Sequence, residues 1–499
     1  MESSFNLIDE PWIPVADYER VSLRDIFSRS EYQSLGGNPV QKIAVFKLLL
    51  AIAQAAATPA DEKEWREQGA QGMAEKCLTY LDKWHDRFFL YGEKPFLQMP
   101  AIAAARALSF GAFLPEVSTG NTTILTQSQV ETNLSDADRA LIVLLQMGFA
   151  LSGKKTDNGV VLSAGYVGKR NDKGKPSTGK PGPSVAHMGL LHNFVMAKSI
   201  LDSICLNLLS AQAIDSTGIF TAGVGTAPWE NMPQGEACAT ASQLKQSYMG
   251  RLIPLCRFCL LADEGMHYSE GIAHAGYKEG MQDLSVAIDS SGKEPRAQWV
   301  DPNKRPWREL ISLLSFIDQS GGSGFQSWQI RFGLDRARDA QKVFSIWSGG
   351  LRVSSNAGEQ YVSGTDDVVE SNIWLESEAL GQSWFEQLKQ EMDGLDDLAK
   401  ALYGRVLAYF KGLTVDGKNT AAQATNMFWQ LCERDFQELV NSCDTTDETK
   451  KTRQQLRRKF AGYQHQSYDH FCPNETARQI DAWAHNRPNH YKYISQEAS

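Results

Sequence analysis

The amino-acid pattern changes at about residue 365, and this change constrains the architecture more than any other feature. Residues 1 to about 365 mix short apolar runs with many loops rich in Gly, Ser and Pro, whereas residues from about 370 to 499 have helical periodicity almost throughout. Helical stripes of apolar residues must pack against other helices. We therefore predict an α+β protein, with a large irregular mixed α/β domain over residues 1–365 and a C-terminal four-helix bundle over residues 366–499.

The C-terminal part contains four predicted helical segments. They lie near Ser371–Gly394, near Leu395–Lys411, over Ala421–Val440 and between Pro473 and Pro488. In the last segment Ala477, Ile480 and Ala484 share one face, which we expect to be buried in the bundle.

The N-terminal part begins with a predicted extended segment and continues with helices. Asn38 and Pro39 are typical of an N-cap followed by Pro at the first helical position, so a strongly apolar helix is predicted from Val40 to about Ala57. A second buried helix is predicted over Ser135–Ser152 and another over about Gly189–Leu209.

Composition excludes several classes of protein. Of the 499 residues, 42% are hydrophobic and 22% are charged, as in ordinary globular proteins, so a disordered or fibrous chain is excluded. The longest apolar stretches, Leu48–Ala57 and Ala140–Leu151, are shorter than the roughly 20 residues that cross a bilayer. The first residues show no signal-peptide pattern. We expect a cytoplasmic protein that does not bind membranes.

The formal net charge of −9 argues against a protein that wraps nucleic acid by overall charge, although a local basic site remains possible. The clearest local site is the loop at 165–180. Its cations are Lys169, Arg170, Lys173, Lys175 and Lys180, and its glycines are Gly165, Gly168, Gly174 and Gly179. Such a loop suits contact with phosphates or a minor groove. A solvated linker is an equally good interpretation.

Two further segments have both a structural and a functional interpretation. A basic run over Lys450–Lys459 favours a solvated helix face, with nucleic-acid contact as the alternative. The small, polar segment Ser348–Gly358 is typical of a turn between strands, but Asn356 offers a donor and an acceptor that could read a groove edge.

Catalytic motifs are weak. The segment Gly174–Lys180 matches the phosphate loop G-x-x-x-x-G-K, but Pro181 replaces the Ser or Thr that would bind Mg²⁺. Cys256 and Cys259 form a C-x-x-C pair without a second pair, and His267 is a distant third candidate for zinc. We therefore expect no enzyme activity, no cofactor and no bound metal.

Four segments, in this order, resemble the large subunit of the type I-E CRISPR surveillance complex, Cascade, known as the CasA family. They are Asn6–Val15, Glu93–Gln98, Asp301–Arg308 and Phe471–Gln479. The resemblance spans most of the chain and agrees with its length and its helical C-terminal part.

The resemblance implies a non-catalytic subunit that recognises the protospacer-adjacent motif (PAM) of double-stranded DNA, largely from the minor groove. It further implies that a wedge helps to open the duplex, that the bundle holds the displaced strand, and that a helicase–nuclease is recruited in trans. The implied partners are target DNA, CRISPR RNA, and the backbone, small and guide-5′-end cap subunits. Guide pairing would supply the remaining sequence specificity.

The resemblance also assigns roles to particular residues. The PAM-reading set resembles Gly165, Gly168, Lys169 and Arg170, with Lys278 as a further groove-reading candidate. The wedge resembles Gly349–Ala357, with Ser355, Asn356 and Ala357 nearest its tip, and Asn356 or Gln360 in the place of the family's wedge glutamine. The contact with the guide end resembles Asn121, Thr123, Ile124, Leu125 and Gln127.

Two other functions remain open from the sequence. The chain could be a protein–protein scaffold or adaptor without direct DNA contact, or a metal-dependent enzyme that uses Cys256, Cys259 and His267. A gel shift with and without this chain separates the first alternative from DNA recognition, and metal analysis tests the second.

Replacing Lys169 and Arg170 with Ala should weaken binding of the assembled complex to its target duplex. The slope of log K against log salt should also become shallower, by about 0.9 for each phosphate that is no longer neutralised. A salt titration of the binding constant measures both effects. Unchanged affinity at every salt concentration would count against the loop assignment.

Overall fold

The computed structural model describes residues 5–113, 134–148, 160–162, 189–317, 324–352, 354–356, 359–361, 368–444 and 446–495. The chain forms two compact units. The first comprises Met1–Pro306 and Ser323–Asn372, and the second comprises Trp307–Gly322 and Ile373–Ser499.

Helices occur in both units. In chain order they are α1 Leu23–Ser28, α2 Pro39–Ala57, α3 Glu62–Lys83, α4 Asp136–Gly148, α5 Ile200–Asn207, α6 Ala211–Ser216, α7 Ala239–Lys245, α8 Met249–Leu252, α9 Leu310–Leu313, α10 Trp328–Ala340, α11 Gln382–Gly412, α12 Lys418–Asn441, α13 Asp447–Phe471, α14 Ala477–Asn486 and α15 Tyr491–Ile494. The prediction of a mixed α/β part followed by C-terminal helices is confirmed.

The strands are short and mostly belong to small sheets. They are β1 Ala107–Ser109, β2 His192–Met196, β3 Arg257–Ala262, β4 Gly265–Glu270, β5 Ile288–Asp289, β6 Arg296–Ala297, β7 Val343–Leu351, β8 Ser354–Asn356, β9 Glu359–Tyr361 and β10 Val368–Glu376. Within the described residues the sheets have the orders β1-β4-β3, β10-β7-β2, β5-β6 and β8-β9. The antiparallel β2–β7 pair runs from His192 opposite Gly349 to Met196 opposite Ser345.

Helix α2 is the central helix of the first unit, and its predicted start is confirmed. The Asn38 side chain accepts from the Gln41 N–H, and Pro39 occupies the first helical position. By length and composition α2 could cross a membrane, but 78% of the 18-residue apolar stretch of this helix is buried inside the protein. It packs against α3, α4, α5, α8 and β7, which accounts for its apolar character on all sides.

The interior of the first unit contains a buried ion pair on α2. Lys47 Nζ donates to the carboxylate of Asp283 and, at 3.2 Å, to the Arg251 carbonyl. Burial alone would raise the pKa of Asp283, but the ion pair with Lys47 lowers it below its ordinary value. The other carboxylate oxygen accepts from the backbone and the hydroxyl of Ser285, so the buried charge is fully engaged.

The predicted helix over Gly189–Leu209 is wrong in its first half. Residues His192–Met196 form β2, and the helix begins only at Ile200, where the Ser199 side chain accepts from the Asp202 N–H as an N-cap. The buried pairing of β2 with β7 outweighs the local helical pattern.

The second unit differs in two places from the predicted helices. The predicted break after Gly394 is wrong because α11 continues through it to Gly412. A Cβ at Gly394 would lie 2.8 Å from the ring of Tyr493, so glycine here permits close packing. The predicted start at Ser371 is also wrong, since the chain stays extended in β10 to Glu376.

The second unit also takes a segment from within the predicted N-terminal domain. The Trp307 ring packs 4.3 Å from Phe436 and 5.8 Å from Trp429, measured between ring centroids. The Arg308 guanidinium lies 3.8 Å from the Trp429 centroid. These apolar and cation–π contacts bind Trp307–Gly322 to the helical unit, whereas the sequence-based division was a single boundary at 365/366.

The stripe predicted to be buried on α14 is exposed. Ala477, Ile480 and Ala484 all face solvent, with 50% of Ile480 exposed, and Ala482 is the residue that α14 buries. The expectation of burial is therefore wrong. Helix α14 packs against α11 through the neighbouring face.

Two neutral histidines should make the first unit sensitive to acid. The Arg251 guanidinium donates to His274 Nδ1 at 2.8 Å, so His274 Nε2 donates to the Pro254 carbonyl at 2.6 Å. Burial is the main cause that lowers the pKa of His274 to about 3, and the positive charge of Arg251 lowers it further. The pKa of His192 is lowered to about 3 in the same way, by burial first and by the charge of Lys47 second. Below about pH 6.5 the unfolded state therefore binds protons that the folded state does not, and stability falls with falling pH.

We expect His274→Gln to lose less stability than the natural protein when the pH falls from 7 to 5. The difference should be about 2 kcal/mol, because one proton uptake is removed over that range. Urea unfolding at the two pH values measures this difference in unfolding free energy. Hydrogen exchange in peptides from β3 and β4 then measures the same difference in this region of the first unit. Parallel losses in both proteins would show that His274 does not drive the acid sensitivity.

Candidate nucleic-acid interface

Many residues assigned by resemblance lie outside the described residues. These are Gly165, Gly168, Lys169 and Arg170, the guide-end set Asn121, Thr123, Ile124, Leu125 and Gln127, and Ala357. The phosphate-loop match Gly174–Lys180 lies outside them as well. For Ser355 and Asn356 the structure describes the backbone, and Lys278 is described completely.

The residues that flank the cationic segment 163–188 are held by backbone hydrogen bonds. On one side, the Glu236 N–H donates to the Leu162 carbonyl at 3.4 Å. On the other, the Val300 N–H donates to the Gly189 carbonyl at 2.8 Å. The segment that contains Lys169 and Arg170 therefore starts and ends at defined points of the first unit.

The end of β7 lies beside the exit of that segment. A Cβ on Gly350 would lie 2.7 Å from the Leu190 carbonyl oxygen and 2.6 Å from Val300 Cγ2, so the two backbones approach more closely than a side chain would permit. Gly349 and Gly350, the first residues of the predicted wedge Gly349–Ala357, lie inside the buried strand β7 and not in the hairpin. The chain leaves β7 after Leu351 and enters the hairpin at Ser354.

The predicted wedge segment contains an antiparallel hairpin. Strand β8 pairs with β9 in the register Ser354 opposite Tyr361, Ser355 opposite Gln360 and Asn356 opposite Glu359. Asn356 is thus the last residue of β8, followed by residues 357–358 before β9. This placement puts Asn356 nearer the tip of the hairpin than Gln360, the other candidate.

Lys278 lies on an exposed 3₁₀ turn, Tyr277–Glu279, of the first unit. The Gly276 N–H donates to the Glu279 carboxylate at 2.7 Å, and Gly280 closes the turn at φ +87°. Lys278 Nζ donates to Glu294 Oε2 at 3.1 Å, and this hydrogen bond raises the pKa of Lys278. Both side chains are largely in water, where an ion pair exchanges readily for another anion.

Leu190 connects these three elements. It belongs to a buried cluster with Val286, Ile288 and Ala297, against which Tyr277 packs. Tyr277 is the residue before Lys278, so its packing positions the Lys278 turn. Gly189, the residue before Leu190, directly follows the cationic segment. The Leu190 carbonyl contacts Gly350, near the end of β7 and ahead of the hairpin. The fold therefore brings the end of the predicted PAM loop, the start of the predicted hairpin and the Lys278 turn to one buried cluster, which contains Leu190.

The charges near Lys278 are mixed. Arg296 Nη2 donates to Asp289 Oδ2 at 2.5 Å, and Asp289 also accepts from Ser291. The Ser291 hydrogen bonds, with Arg296, lower the pKa of Asp289 to about 2. This surface has cations close to acids, so the charge of any DNA contact here depends on which ion pairs open.

The C-x-x-C pair has the environment of a structural core. Cys256 and Cys259 are both buried, and burial raises the pKa of Cys259. Cys259 lies on β3, and Cys256 precedes the strand. His267 Nδ1 lies 2.6 Å from the Ala105 carbonyl oxygen. Within the described ranges, no group of three His, Cys, Asp or Glu side chains could hold a metal ion.

The basic run on α13 is divided between the core and the surface. Arg457 makes a bidentate pair with Glu391, at 3.0 Å from Nε and 2.6 Å from Nη2, and both residues are buried. Arg453 donates to the carbonyls of Ser442 and Asp444 at the end of α12. Neither arginine is solvated, so the expectation of a solvated face is wrong for these two; Lys451, Arg458 and Lys459 remain on the surface.

Comparison with known proteins identifies the family. The family model described as CRISPR-associated protein Cse1 matches residues 6–466, which is most of the chain. The chain belongs to the CRISPR-associated protein Cse1 family. The predicted resemblance is thereby confirmed, since CasA and Cse1 are names of one protein in a curated relative, the CRISPR-associated protein CasA/Cse1 of Thermus thermophilus.

That relative is 28% identical over 302 residues, which cover 56% of this chain. The match spans about half the length of the relative, 53%. Solved structures agree with the fold over nearly the whole length. Thermobifida fusca Cse1 has a TM-score of 0.76 at 19% identity and covers 98% of both chains, and Thermus thermophilus CasA has a TM-score of 0.73 at 18% identity, covering 99% of this chain and 98% of its own.

A third similar chain comes from a structure described as a CRISPR RNA-guided surveillance complex. It has a TM-score of 0.65 at 14% identity and covers 97% of this Cse1-family chain and 99% of its own. This likeness supports the same fold.

Sequence reasoning missed Glu294, Tyr277 and Leu190 as parts of the site. Leu190 and Tyr277 look like ordinary core residues, and Glu294 is one of 59 acids. Their importance comes from contacts between segments that are distant along the chain, and local pattern gives no signal for such contacts.

Replacing Glu294 with Gln should raise the affinity of the assembled complex for its target duplex by a few-fold, because Lys278 loses its acidic partner and binds a phosphate or groove acceptor instead. Equilibrium binding at several salt concentrations measures the gain.

The control is the same substitution in a Lys278→Ala background, as in a double-mutant cycle. The gain should disappear there. An equal gain in both backgrounds would mean that Glu294 acts only through general repulsion of DNA.

Proposed function

We propose that this Cse1-family chain is the large subunit of a CRISPR RNA-guided surveillance complex and recognises the PAM of double-stranded target DNA. The observation that carries the proposal is the convergence at Leu190. The cluster that contains Leu190 lies beside the end of the segment containing Lys169 and Arg170, the start of the β8–β9 hairpin and the turn that bears Lys278.

In this proposal the basic segment supplies attachment and limited reading of sequence. Lys169, Arg170 and Lys278 contact phosphates or groove acceptors, which gives a salt-dependent interaction. The minor groove distinguishes mainly A·T from G·C pairs, so the recognised motif is permissive. Gly165 and Gly168 let the backbone approach the groove floor.

The hairpin acts as the wedge that separates the strands next to the motif. Unstacking a base step costs a few kcal/mol, which backbone contacts and guide pairing offset. Ser355, Asn356 and Ala357 are short side chains that fit between the separating strands, and guide pairing then extends the opened region. The chain itself breaks no bond.

The remaining roles belong to other parts of the chain. The segment with Asn121, Thr123, Ile124, Leu125 and Gln127 contacts the guide end of the complex, beside the backbone, cap and small subunits. The C-terminal helices hold the displaced strand, where Lys451 and Arg458 are exposed cations on α13. A helicase–nuclease recruited in trans cleaves the DNA. The proposed location is the cytoplasm.

A protein scaffold without DNA contact is the second candidate. The exposed stripe Ala477, Ile480 and Ala484 on α14 favours it, because an apolar helix face in water is typical of a contact with another protein. A gel shift with guide-loaded complex, prepared with and without this chain, separates the two. Motif-dependent binding that requires the chain supports DNA recognition, and equal binding without it supports the scaffold.

Asn356→Ala should impair opening of a matched target more strongly than it impairs assembly of the complex. Permanganate reactivity of thymines beside the motif reports opening, and gel filtration reports assembly. A target that carries a preformed bubble should restore binding, because the wedge step is bypassed.

Gln360→Ala is the matched control, since Gln360 lies on β9 one register pair further from the tip. It should open the duplex nearly normally. Collapse of assembly in Asn356→Ala, or no rescue by the bubble, would make Asn356 a structural residue.

A further inference from the structure

Trp299 is a large aromatic residue on the surface of the first unit, with 48% of its area exposed. Its backbone is held firmly. It forms an antiparallel bridge with Leu190, and on either side of it the Gln298 carbonyl accepts from Leu191 at 3.0 Å and the Val300 N–H donates to Gly189 at 2.8 Å. The backbone that carries the indole is therefore fixed at this position.

The indole lies on the same side of its backbone bridge as Leu190. Residues directly opposite each other in an antiparallel pair project to the same side, so Trp299 and Leu190 share a face. Leu190 is part of the cluster against which Tyr277 packs, and Lys278 follows Tyr277. The exposed indole thus starts from a bridge to the Leu190 cluster, against which the Lys278 turn also packs, and Gly350 at the root of the hairpin contacts Leu190 and Val300.

The charged side chains near the Lys278 turn are three cations and three acids, and the cations on the surface can exchange an acid for a phosphate. Lys278, Lys293 and Arg296 are exposed, as are Glu279 and Glu294, whereas Asp289 is buried and pairs with Arg296. The ion pair of Lys278 with Glu294 is exposed to water, so Lys278 can exchange Glu294 for a phosphate. An aromatic ring next to such cations is the arrangement by which proteins bind unpaired bases without reading sequence.

We propose that Trp299 stacks on a base of the target DNA that is unstacked when the hairpin opens the duplex. This proposal rests on the proposed function and adds to it a platform that captures the first separated base. Stacking gives affinity for any base, because each base has an apolar face. Trp299 thereby stabilises the opened state after the wedge has formed it.

The test compares assembled complexes that contain Trp299→Ala, Trp299→Phe or Tyr18→Ala. Tyr18 is the matched control, because 49% of it is exposed and its ring packs on Tyr32 rather than near Leu190. Binding to a matched duplex is measured over a salt titration. A second duplex carries 2-aminopurine beside the motif, whose fluorescence falls when the base stacks on an aromatic ring.

Trp299→Ala should weaken binding about tenfold at every salt concentration, with an unchanged salt slope, because the indole carries no charge. The 2-aminopurine signal should rise in this variant. Trp299→Phe should recover most of the affinity and the quenching, and Tyr18→Ala should behave as the natural protein.

Three results would overturn the proposal. The first is natural affinity and quenching in Trp299→Ala, while Lys169→Ala/Arg170→Ala still weakens binding. The second is a shallower salt slope in Trp299→Ala. The third is poor incorporation of Trp299→Ala into a complex whose affinity per particle is normal, which would make Trp299 a subunit contact. Failure of the proposed function is distinct from all three, since the natural complex would then bind target no better than a complex without this chain.

Discussion

The buried pair of Lys47 and Asp283 anchors the part of the fold on which the proposed interface depends. Asp283 accepts from Ser285, and Ser285 Oγ lies 2.9 Å from His192 Nδ1. Because the Ser285 hydroxyl donates its proton to Asp283, the neutral His192 donates from Nδ1. The Ser285 carbonyl accepts from Asn193, and Asn193 accepts from Ser348 on β7. A chain of buried polar contacts thus connects α2 to β2 and β7.

This network explains how a mostly acidic chain can present basic segments in defined places. Removing one partner of a buried ion pair leaves an uncompensated charge and costs about 3–5 kcal/mol, so neither Lys47 nor Asp283 can be lost alone without destabilising the contact between α2 and the Asp283 segment. Strands β2 and β7 then place Leu190 and Gly350, where the cationic segment ends and the hairpin begins. Recognition by a few projecting segments needs such a fixed base, since net charge offers no general attraction to DNA.

The basic run on α13 shows why charge pattern alone does not identify a nucleic-acid site. Arg453 and Arg457 have the same local pattern as Lys451 and Arg458, yet the first two are buried. They close the end of α12 and neutralise Glu391, which comes from α11, far earlier in the chain. Similarly, Gly394 looked like a helix end but accommodates Tyr493, which lies close to the C-terminal end. In both cases the partner that decides the outcome is distant in sequence.

Local sequence was sufficient to predict the start of α2 at Asn38 and Pro39 and the mixed N-terminal part followed by helices. It was also sufficient to predict the family, because the family's motifs are contiguous stretches of sequence. Capping, periodicity and proline act within a few residues, so they can be read in order along the chain. The strand at His192–Met196, the exposed face of α14 and the meeting of Gly189, Gly350 and Tyr277 around Leu190 required the folded protein. Burial and exposure depend on which distant segments pack together, and a linear pattern does not contain that information.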